Sequence, residues 1–407
     1  MKTFGLLGEK LTHSFSPQIH ARLADYEYKL YEKAPEEVED FLRSGSFDGL
    51  NVTIPYKKAV MPFCAELSES AKKIGSVNTI IRRDDKTLYG DNTDYFGFLY
   101  MLGKTGVEVS GKKALILGSG GASLAVSAAL TDSGASEIIV ISRGGENNYE
   151  NLQRHYDAQI IVNATPVGMY PHNGVSPLAL SNFAGCACVL DLIYNPLKTK
   201  LLLSAQALGI PCAGGLSMLV AQAKKARELF LGESVDNGII DVITDEISQE
   251  ERNIVLIGMP GCGKSSIGRE LAGITGRKFF DTDVMIETKA GKTIPRIFAE
   301  DGEAVFRAVE SEALAEATAE HGCVIATGGG IVTQPVNLDL IRQNGVAVFL
   351  DRAIDELPSC GRPLSAGRGT DILAKERRPL YLKWSDYKFI VCGISETANN
   401  IKEKLAL

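Results

Sequence analysis

The chain has 407 residues, 45% of them hydrophobic and 23% charged, with a net charge of -7 at pH 7. That length calls for two or three domains, and the balance is that of an ordinary globular protein. The acidic excess leaves no basic field for nucleic acid, so anionic ligands must be held locally, by helix ends and single Lys or Arg side chains.

The N-terminus lacks the charged-then-apolar build of a secretory signal, and the uncharged run 114–131 is broken by Ser119-Gly120-Gly121. Neither suits a membrane, and the expected location is the cytoplasm. The eight cysteines have no metal-type spacing and the five histidines form no cluster. Reduced thiols and no transition metal are expected. The expected partners are small molecules; assembly with further copies of the chain is left open.

In chain order, residues 2–7 read as an opening strand, followed by a polar loop with Ser14 and Ser16 before Pro17, which suits the first turn of a helix. Those hydroxyls serve either as helix caps or as a carboxylate cradle. Residues 47–55 read as a strand stopped by proline, with Tyr56-Lys57-Lys58 opening a helix. Asn51 and Thr53 stud that strand; Asn78 and Asp94 lie in two further polar segments, 75–81 and 90–94. Together these put Asn, Thr, Lys and Asp at successive strand ends, as a small polyhydroxylated substrate requires.

Residues 112–117 form a strand that runs into Gly118-Ser119-Gly120-Gly121-Ala122 and a small-residue helix, a partial match to the dinucleotide turn. The next strand ends in Ser142-Arg143, where a basic residue suits NADP and an acidic one would suit NAD. Two more strand-and-turn units follow, around Thr165 and around Leu192-Ile193-Tyr194. A helix from about Leu216 through Phe230 carries Gln222 among apolar residues. Alternating strands and helices with polar turns predict a doubly wound sheet. Residues 244–252 are charged, without a sustained apolar pattern, and are read as a linker.

After it, Asn253 to Ile257 is a buried strand, and Gly258-Met259-Pro260-Gly261-Cys262-Gly263-Lys264-Ser265 fits G-x-x-x-x-G-K-[ST] at each fixed position. Gly261, Cys262, Gly263 and Ser266 would cradle phosphates with backbone N–H groups. Lys264 would reach the outer phosphates, and Ser265 would hold Mg²⁺. ATP and Mg²⁺ are therefore expected.

The first 245 residues closely resemble the shikimate dehydrogenase family. The segments that carry this are Ser14-Phe15-Ser16-Pro17, Asn51-Val52-Thr53-Ile54-Pro55-Tyr56-Lys57, Gly75-Ser76-Val77-Asn78-Thr79, Asn92-Thr93-Asp94, the turn from Gly118 to Ala122, Asn163-Ala164-Thr165 and Gly215-Leu216-Ser217-Met218 through Gln222. The resemblance implies NADPH-dependent reduction of 3-dehydroshikimate, with Lys57 and Asp94 as the catalytic pair. Ser14 and Ser16 would take the carboxylate; Asn51, Thr53, Asn78, Tyr194 and Gln222 would surround the ring. Thr165, Leu192, Gly215 and Met218 would join the glycine turn around NADP(H). A usual Asn-Arg-Thr is Ser142-Arg143-Gly144 in this chain.

Residues 253–385 resemble shikimate kinase, through the phosphate loop, Phe279-Phe280-Asp281-Thr282-Asp283 (a strand ending in two carboxylates), Gly302 to Arg307 with Glu310, Ala326-Thr327-Gly328-Gly329-Gly330, Arg362-Pro363-Leu364 and Arg377-Arg378-Pro379-Leu380-Tyr381. This implies Asp283 as the base, Asp281 acting on Mg²⁺ through water, and Arg307, Gly329 and Arg377 around the substrate. Arg362 would sit in a lid over ATP.

The expected organisation is α/β throughout: a substrate domain over 1–95 with part of 225–245 packing back, a Rossmann-type NADP domain over 96–243, the linker, and a P-loop kinase domain with a parallel sheet over 253–407. Rival readings are quinate as a second substrate, a sensor domain joined to a working kinase, and a P-loop regulator.

Overall fold

The computed structural model describes residues 2–11, 14–45, 47–357 and 370–407. It divides into two compact units, Met1–Glu246 and Ile247–Leu407.

The first unit opens with β1 (Thr3–Gly8), α1 (Ser16–Leu23), β2 (Glu27–Glu32), α2 (Val38–Ser44), β3 (Gly49–Val52), β4 (Glu66–Leu67), α3 (Glu69–Ile74), β5 (Thr79–Arg82) and β6 (Leu88–Asp91). Their strands form a mixed sheet of order β2-β1-β3-β5-β6-β4. Register sets Asn51 opposite Thr79, and Thr79 opposite Asp91. Directly opposed residues share a face, so polar groups far apart in sequence become neighbours. Leu50, Val52 and Ile80 carry the core.

The helix expected to open at Tyr56-Lys57-Lys58 does not form; residues 54–60 are turns. Val60 N–H donates to the Tyr56 carbonyl, and Met61 N–H to the Lys58 carbonyl. Pro62 has no N–H to carry the ladder on to Lys58 and disfavours helix at the residue before it.

After α4 (Asp94–Gly103) come β7 (Lys113–Leu117), α5 (Gly121–Asp132), β8 (Glu137–Ile141), β9 (Ile160–Asn163), β10 (Cys188–Asp191), α6 (Lys200–Ala207), β11 (Cys212–Gly214) and α7 (Gly215–Leu231). This sheet is parallel throughout, with order β11-β10-β9-β7-β8. The order reverses at β7, so the turns after β7 and β9 flank a crevice at strand C-terminal ends, where such sheets bind ligands. The end of α7 packs against β1, with the Phe230 and Phe4 rings stacked at 4.5 Å.

Residues 244–251, read as linker, belong to α8 (Gly238–Glu251). Ile240, Ile243 and Ile247 are buried at helical spacing. The acidic residues between them hide that stripe in the sequence.

The second unit runs β12 (Asn253–Ile257), α9 (Lys264–Thr275), β13 (Phe279–Asp281), α10 (Thr282–Ala290), α11 (Ile294–Glu300), α12 (Gly302–Ala319), β14 (Val324–Ala326), α13 (Val336–Asn344), β15 (Gly345–Asp351), α14 (Thr370–Trp384), β16 (Tyr387–Ile390) and α15 (Ile394–Leu405). Its sheet has order β13-β14-β12-β15-β16, every pair parallel. The expectation of two carboxylates at a strand end needs correction. Asp281 ends β13 and caps α10, accepting from Asp283 N–H, while Asp283 stands in the first helical turn. Arg362 and most of the expected lid lie outside the described residues. Among the described residues no helix is long and apolar enough to cross a membrane.

Candidate active sites

In the first unit a cavity of about 520 Å³ is lined by Ser14, Ser16, Asn51, Thr53, Lys57, Asn78, Asp94, Tyr194 and Gln222, with Ala122, Leu192, Gly215 and Met218 on the nucleotide side. Lys57 comes from the turn after β3 and Asp94 from the N-terminus of α4; their Nζ and Oδ2 are 2.5 Å apart. Asp94 is almost fully buried. Its other oxygen accepts from Asn78 Nδ2 at 2.9 Å. The helix N-terminus further favours its charge. A buried carboxylate with both oxygens engaged is held in place, and it positions the Lys57 side chain at the cavity.

Asn78 Nδ2 also donates to Gln222 Oε1 at 3.1 Å, tying α7 to the same centre. Tyr194 reaches the cavity from the turn after β10, its ring tilted against Phe15 at 5.3 Å. Ser14 does not cap α1: the N-cap is Phe15, without a side-chain cap bond, and Ser14 Oγ accepts from Ser16 N–H at 3.2 Å.

Gly118, Ser119, Gly120, Gly121, Ser142, Arg143 and Thr165 do not line this cavity. They stand at the ends of β7, β8 and β9, with Ser119, Gly120 and Arg143 exposed. Gly118 has φ +99, and a Cβ there would meet Thr165 Cγ2 at 2.9 Å and the Ala164 carbonyl at 3.0 Å. At Gly120 and Gly121 a Cβ would meet nothing within 4 Å. α5 also has no acidic residue in its first turn. An open helix N-terminus free of negative charge fits a dinucleotide pyrophosphate.

Behind the substrate residues lies His20, which sequence reasoning missed. It lines the cavity, its Nδ1 is 2.5 Å from Tyr26 Oη, and its ring stacks on Tyr28 at 3.9 Å. Burial pushes its pKa down to about 3, opposed by a hydrogen bond with Asn51. Below the ordinary value of 6.5 the unfolded chain binds a proton that the folded chain refuses. The stability due to neutral His20 is thus complete above pH 6.5 and is lost as pH falls toward 3, at up to about 1.4 kcal/mol per unit. Thermal unfolding of the first unit should therefore weaken from pH 7 to pH 5 by more in the parent chain than in His20→Gln. Asp191, whose pKa burial raises to about 6, contributes the opposite slope in both proteins and cancels in the comparison.

In the second unit a cavity of about 570 Å³ is lined by Gly261, Gly263, Lys264, Ser265, Ser266, Asp281, Asp283, Arg307, Glu310, Gly329 and Arg377. The phosphate loop and the acceptor residues thus share one space. Gly258, Gly261 and Gly263 all have positive φ. Lys264 Nζ lies inside the loop, donating to the Gly258 and Met259 carbonyls at 2.9 Å. Cys262 is buried beneath the loop and does not line the cavity. The backbone of this loop and Lys264 fit a nucleotide's phosphates, and the oxygens of Ser265 and Asp281 fit Mg²⁺.

Arg307 Nη1 donates to Glu310 Oε2 at 2.6 Å and Nη2 to Glu303 Oε1 at 3.1 Å. Glu310 is fully buried, and burial raises its pKa against the pull of Arg307. A Cβ on Gly330 would lie 2.0 Å from Arg307 Nη1, and one on Gly328 would lie 2.6 Å from Glu310 Oε1. Gly328 and Gly330 therefore leave room for the ion pair, while a Cβ on Gly329 would meet Pro260 Cδ at 2.6 Å. Arg377 Nη1 and Tyr381 Oη both donate to the Gly329 carbonyl. Glu310 was legible as an acid three residues beyond Arg307 on one helix; Tyr381 in this role was not.

Family models match both halves. The family model for shikimate dehydrogenase substrate binding domain matches residues 6–80, and that for shikimate kinase matches 260–406. A shikimate dehydrogenase (NADP(+)) of Clostridium perfringens is 37% identical over 268 residues, covering 61% of this chain and 98% of that protein. The crystal structure of shikimate dehydrogenase 1 from Peptoclostridium difficile has 41% identity and a TM-score of 0.56, covering 60% of this chain and 97% of its own. Shikimate 5-dehydrogenase from Thermus thermophilus, solved in complex with NADP(H) and shikimate, has 31% identity and a TM-score of 0.55, covering 60% and 99%. Through its first unit the chain belongs to the shikimate dehydrogenase family, and its second unit carries a shikimate kinase domain.

Proposed function

We propose that the chain is a bifunctional enzyme of aromatic biosynthesis: it reduces 3-dehydroshikimate to shikimate with NADPH, then phosphorylates shikimate to shikimate 3-phosphate with Mg·ATP. One observation carries the reading. In each unit one cavity gathers the residues of one reaction: Lys57 and Asp94 with Ala122, Leu192, Gly215 and Met218 in the first, and Asp283, Arg307 and Arg377 with the phosphate loop in the second.

NADPH supplies the hydride, bound along Gly118 to Ala122, Ser142, Arg143, Thr165, Leu192, Gly215 and Met218. Reduction of the ketone leaves negative charge on its oxygen, which needs a cation and a proton; Lys57 Nζ provides both, and Asp94 holds it in line. Ser14 and Ser16 bind the substrate carboxylate, while Asn51, Thr53, Tyr194 and Gln222 orient the ring. Asn78, its amide engaged with Asp94 and Gln222, closes the same wall. The exposed Arg143 at the end of β8 favours the 2′-phosphate of NADP.

Mg·ATP supplies the phosphoryl group, held by the loop, Lys264 and Ser265, with Asp281 acting on the metal through water. Asp283 takes the proton of the acceptor hydroxyl. Arg307 and Arg377 clamp the substrate carboxylate, and the Gly329 backbone supports the ring. Incubation of the full chain with 3-dehydroshikimate, NADPH and Mg·ATP should yield shikimate 3-phosphate by mass. NADPH oxidation without that product removes the kinase half, and no oxidation removes the dehydrogenase half.

A further inference from the structure

The substrate-side asparagines of the first unit are linked by hydrogen bonds whose direction can be worked out. Asn78 Nδ2 faces two acceptors, Asp94 Oδ1 at 2.9 Å and Gln222 Oε1 at 3.1 Å. Its Oδ1 faces the Thr93 N–H at 2.7 Å and the Thr79 and Thr93 hydroxyls at 3.0 and 3.2 Å. A backbone N–H can only donate and an amide oxygen can only accept, so this amide has one allowed orientation. The single Thr79 proton then goes to Asn78 Oδ1 at 3.0 Å or to the Thr93 hydroxyl at 3.2 Å. What Thr79 offers to Asn51, 3.3 Å away, is a lone pair, and Asn51 Nδ2 must donate to it. Asn51 Oδ1 is left for Tyr28, whose hydroxyl donates at 2.8 Å, alongside the hydrogen bond from His20.

We propose that Thr79 and Tyr28 are positioning residues of the dehydrogenase site: they complete a one-way series of donors, Tyr28 to Asn51 to Thr79 to Asn78 to Asp94, that holds both asparagine amides in one orientation and presents an N–H of Asn51 to an oxygen of the substrate. The assignment rests on the dehydrogenase reading. It crosses β2, β3, β5 and α4 and begins on an edge strand. Tyr28 is braced by the stacked, neutral His20. Thr79 is fully buried, so no water replaces its hydroxyl; losing it leaves Asn51 Nδ2 without this acceptor, while Asn78 Oδ1 keeps the Thr93 N–H and hydroxyl. An oxygen bound at Asn51 is thereby selected as an acceptor, which suits a ring hydroxyl whose own proton goes elsewhere or a carboxylate.

The test compares Thr79→Val, Thr79→Ser and Tyr28→Phe in the full chain, with kinase turnover of the same preparation as the measure of intact protein. Valine keeps the volume and removes the hydroxyl; serine keeps the hydroxyl and removes a methyl. The chain predicts that Thr79→Val loses roughly ten- to a hundredfold in kcat/KM for 3-dehydroshikimate, with a raised KM. Thr79→Ser should stay within about threefold, and Tyr28→Phe should raise KM for 3-dehydroshikimate while KM for NADPH stays put. A packing role predicts the reverse order at position 79, and a simple loss of folded protein lowers kcat without moving KM. Thr79→Ser falling below Thr79→Val, or an unchanged KM in Thr79→Val, overturns the assignment. If Thr79→Val does not fold, Tyr28→Phe decides it by the same KM criterion. A parent chain that fails to oxidise NADPH with 3-dehydroshikimate overturns the functional reading and this assignment together; a working parent with unaltered variants overturns the assignment alone.

Discussion

Lys57→Ala should lower NADPH oxidation with 3-dehydroshikimate by about 10²–10⁴, the contribution of a positioned proton donor. Shikimate phosphorylation by the same protein should stay within about twofold, because Lys57 lines the cavity of the first unit and the kinase residues line one of their own. The ammonium stands 2.5 Å from Asp94 Oδ2, so its removal takes away the cation, the proton and the partner of a buried carboxylate at once. Lys57→Arg separates these effects. A guanidinium keeps the charge but does not release its proton near neutral pH, so substrate affinity should survive better than kcat. Stopped-flow absorbance with a primary deuterium label on NADPH reads the chemical step directly. Retention of a tenth or more of the parent rate by Lys57→Ala would sink its role as proton donor.

Asp283→Asn is the matching experiment in the second unit, with phosphorylation expected to fall by about 10² or more. The amide preserves the shape of the first turn of α10 and cannot accept the proton of the shikimate hydroxyl. It also keeps the Asp283 N–H bond to Asp281 Oδ1, 3.1 Å in the parent, so the cap of α10 is not disturbed. In the proposed roles Arg307 and Arg377 would still bind the substrate carboxylate, so KM for shikimate should change far less than kcat. Dehydrogenase turnover of the same chain should be unaffected. A kcat within a few fold of the parent, measured as ADP release and as shikimate 3-phosphate by mass, would assign the proton to another acceptor. Glu310 would then be the first candidate, since it is buried beside Gly328 with its pKa raised.

Local features were the most legible. The phosphate loop is one strand, three glycines in left-handed backbone and one helix, all within about twenty residues, and its residues alone dictate its shape. The glycine turn at Gly118 is of the same kind. Lys57 was legible only through resemblance to known dehydrogenases: the expected helix at 56–58 was wrong, because the brake is Pro62, several residues downstream. Residues 244–251 misled because a one-sided stripe of Ile240, Ile243 and Ile247 is diluted by charge on the other face. Tyr28 sits in a strand whose other members are largely exposed, and only its reach to Asn51 gives it meaning.

The sequence by itself determined the α/β class and two glycine turns, because glycine placement, hydrophobic alternation and helix starts are governed by neighbours along the chain, and it offered scattered polar groups as candidates. Tertiary structure alone decided which of those groups meet. Asn51 and Thr79 are 28 positions apart, and Asn78 and Gln222 are 144 apart. Sheet register and the return of α7 bring them to hydrogen-bond distance. The direction of each bond follows from which atoms can only donate and which can only accept, and that is known only once they are side by side.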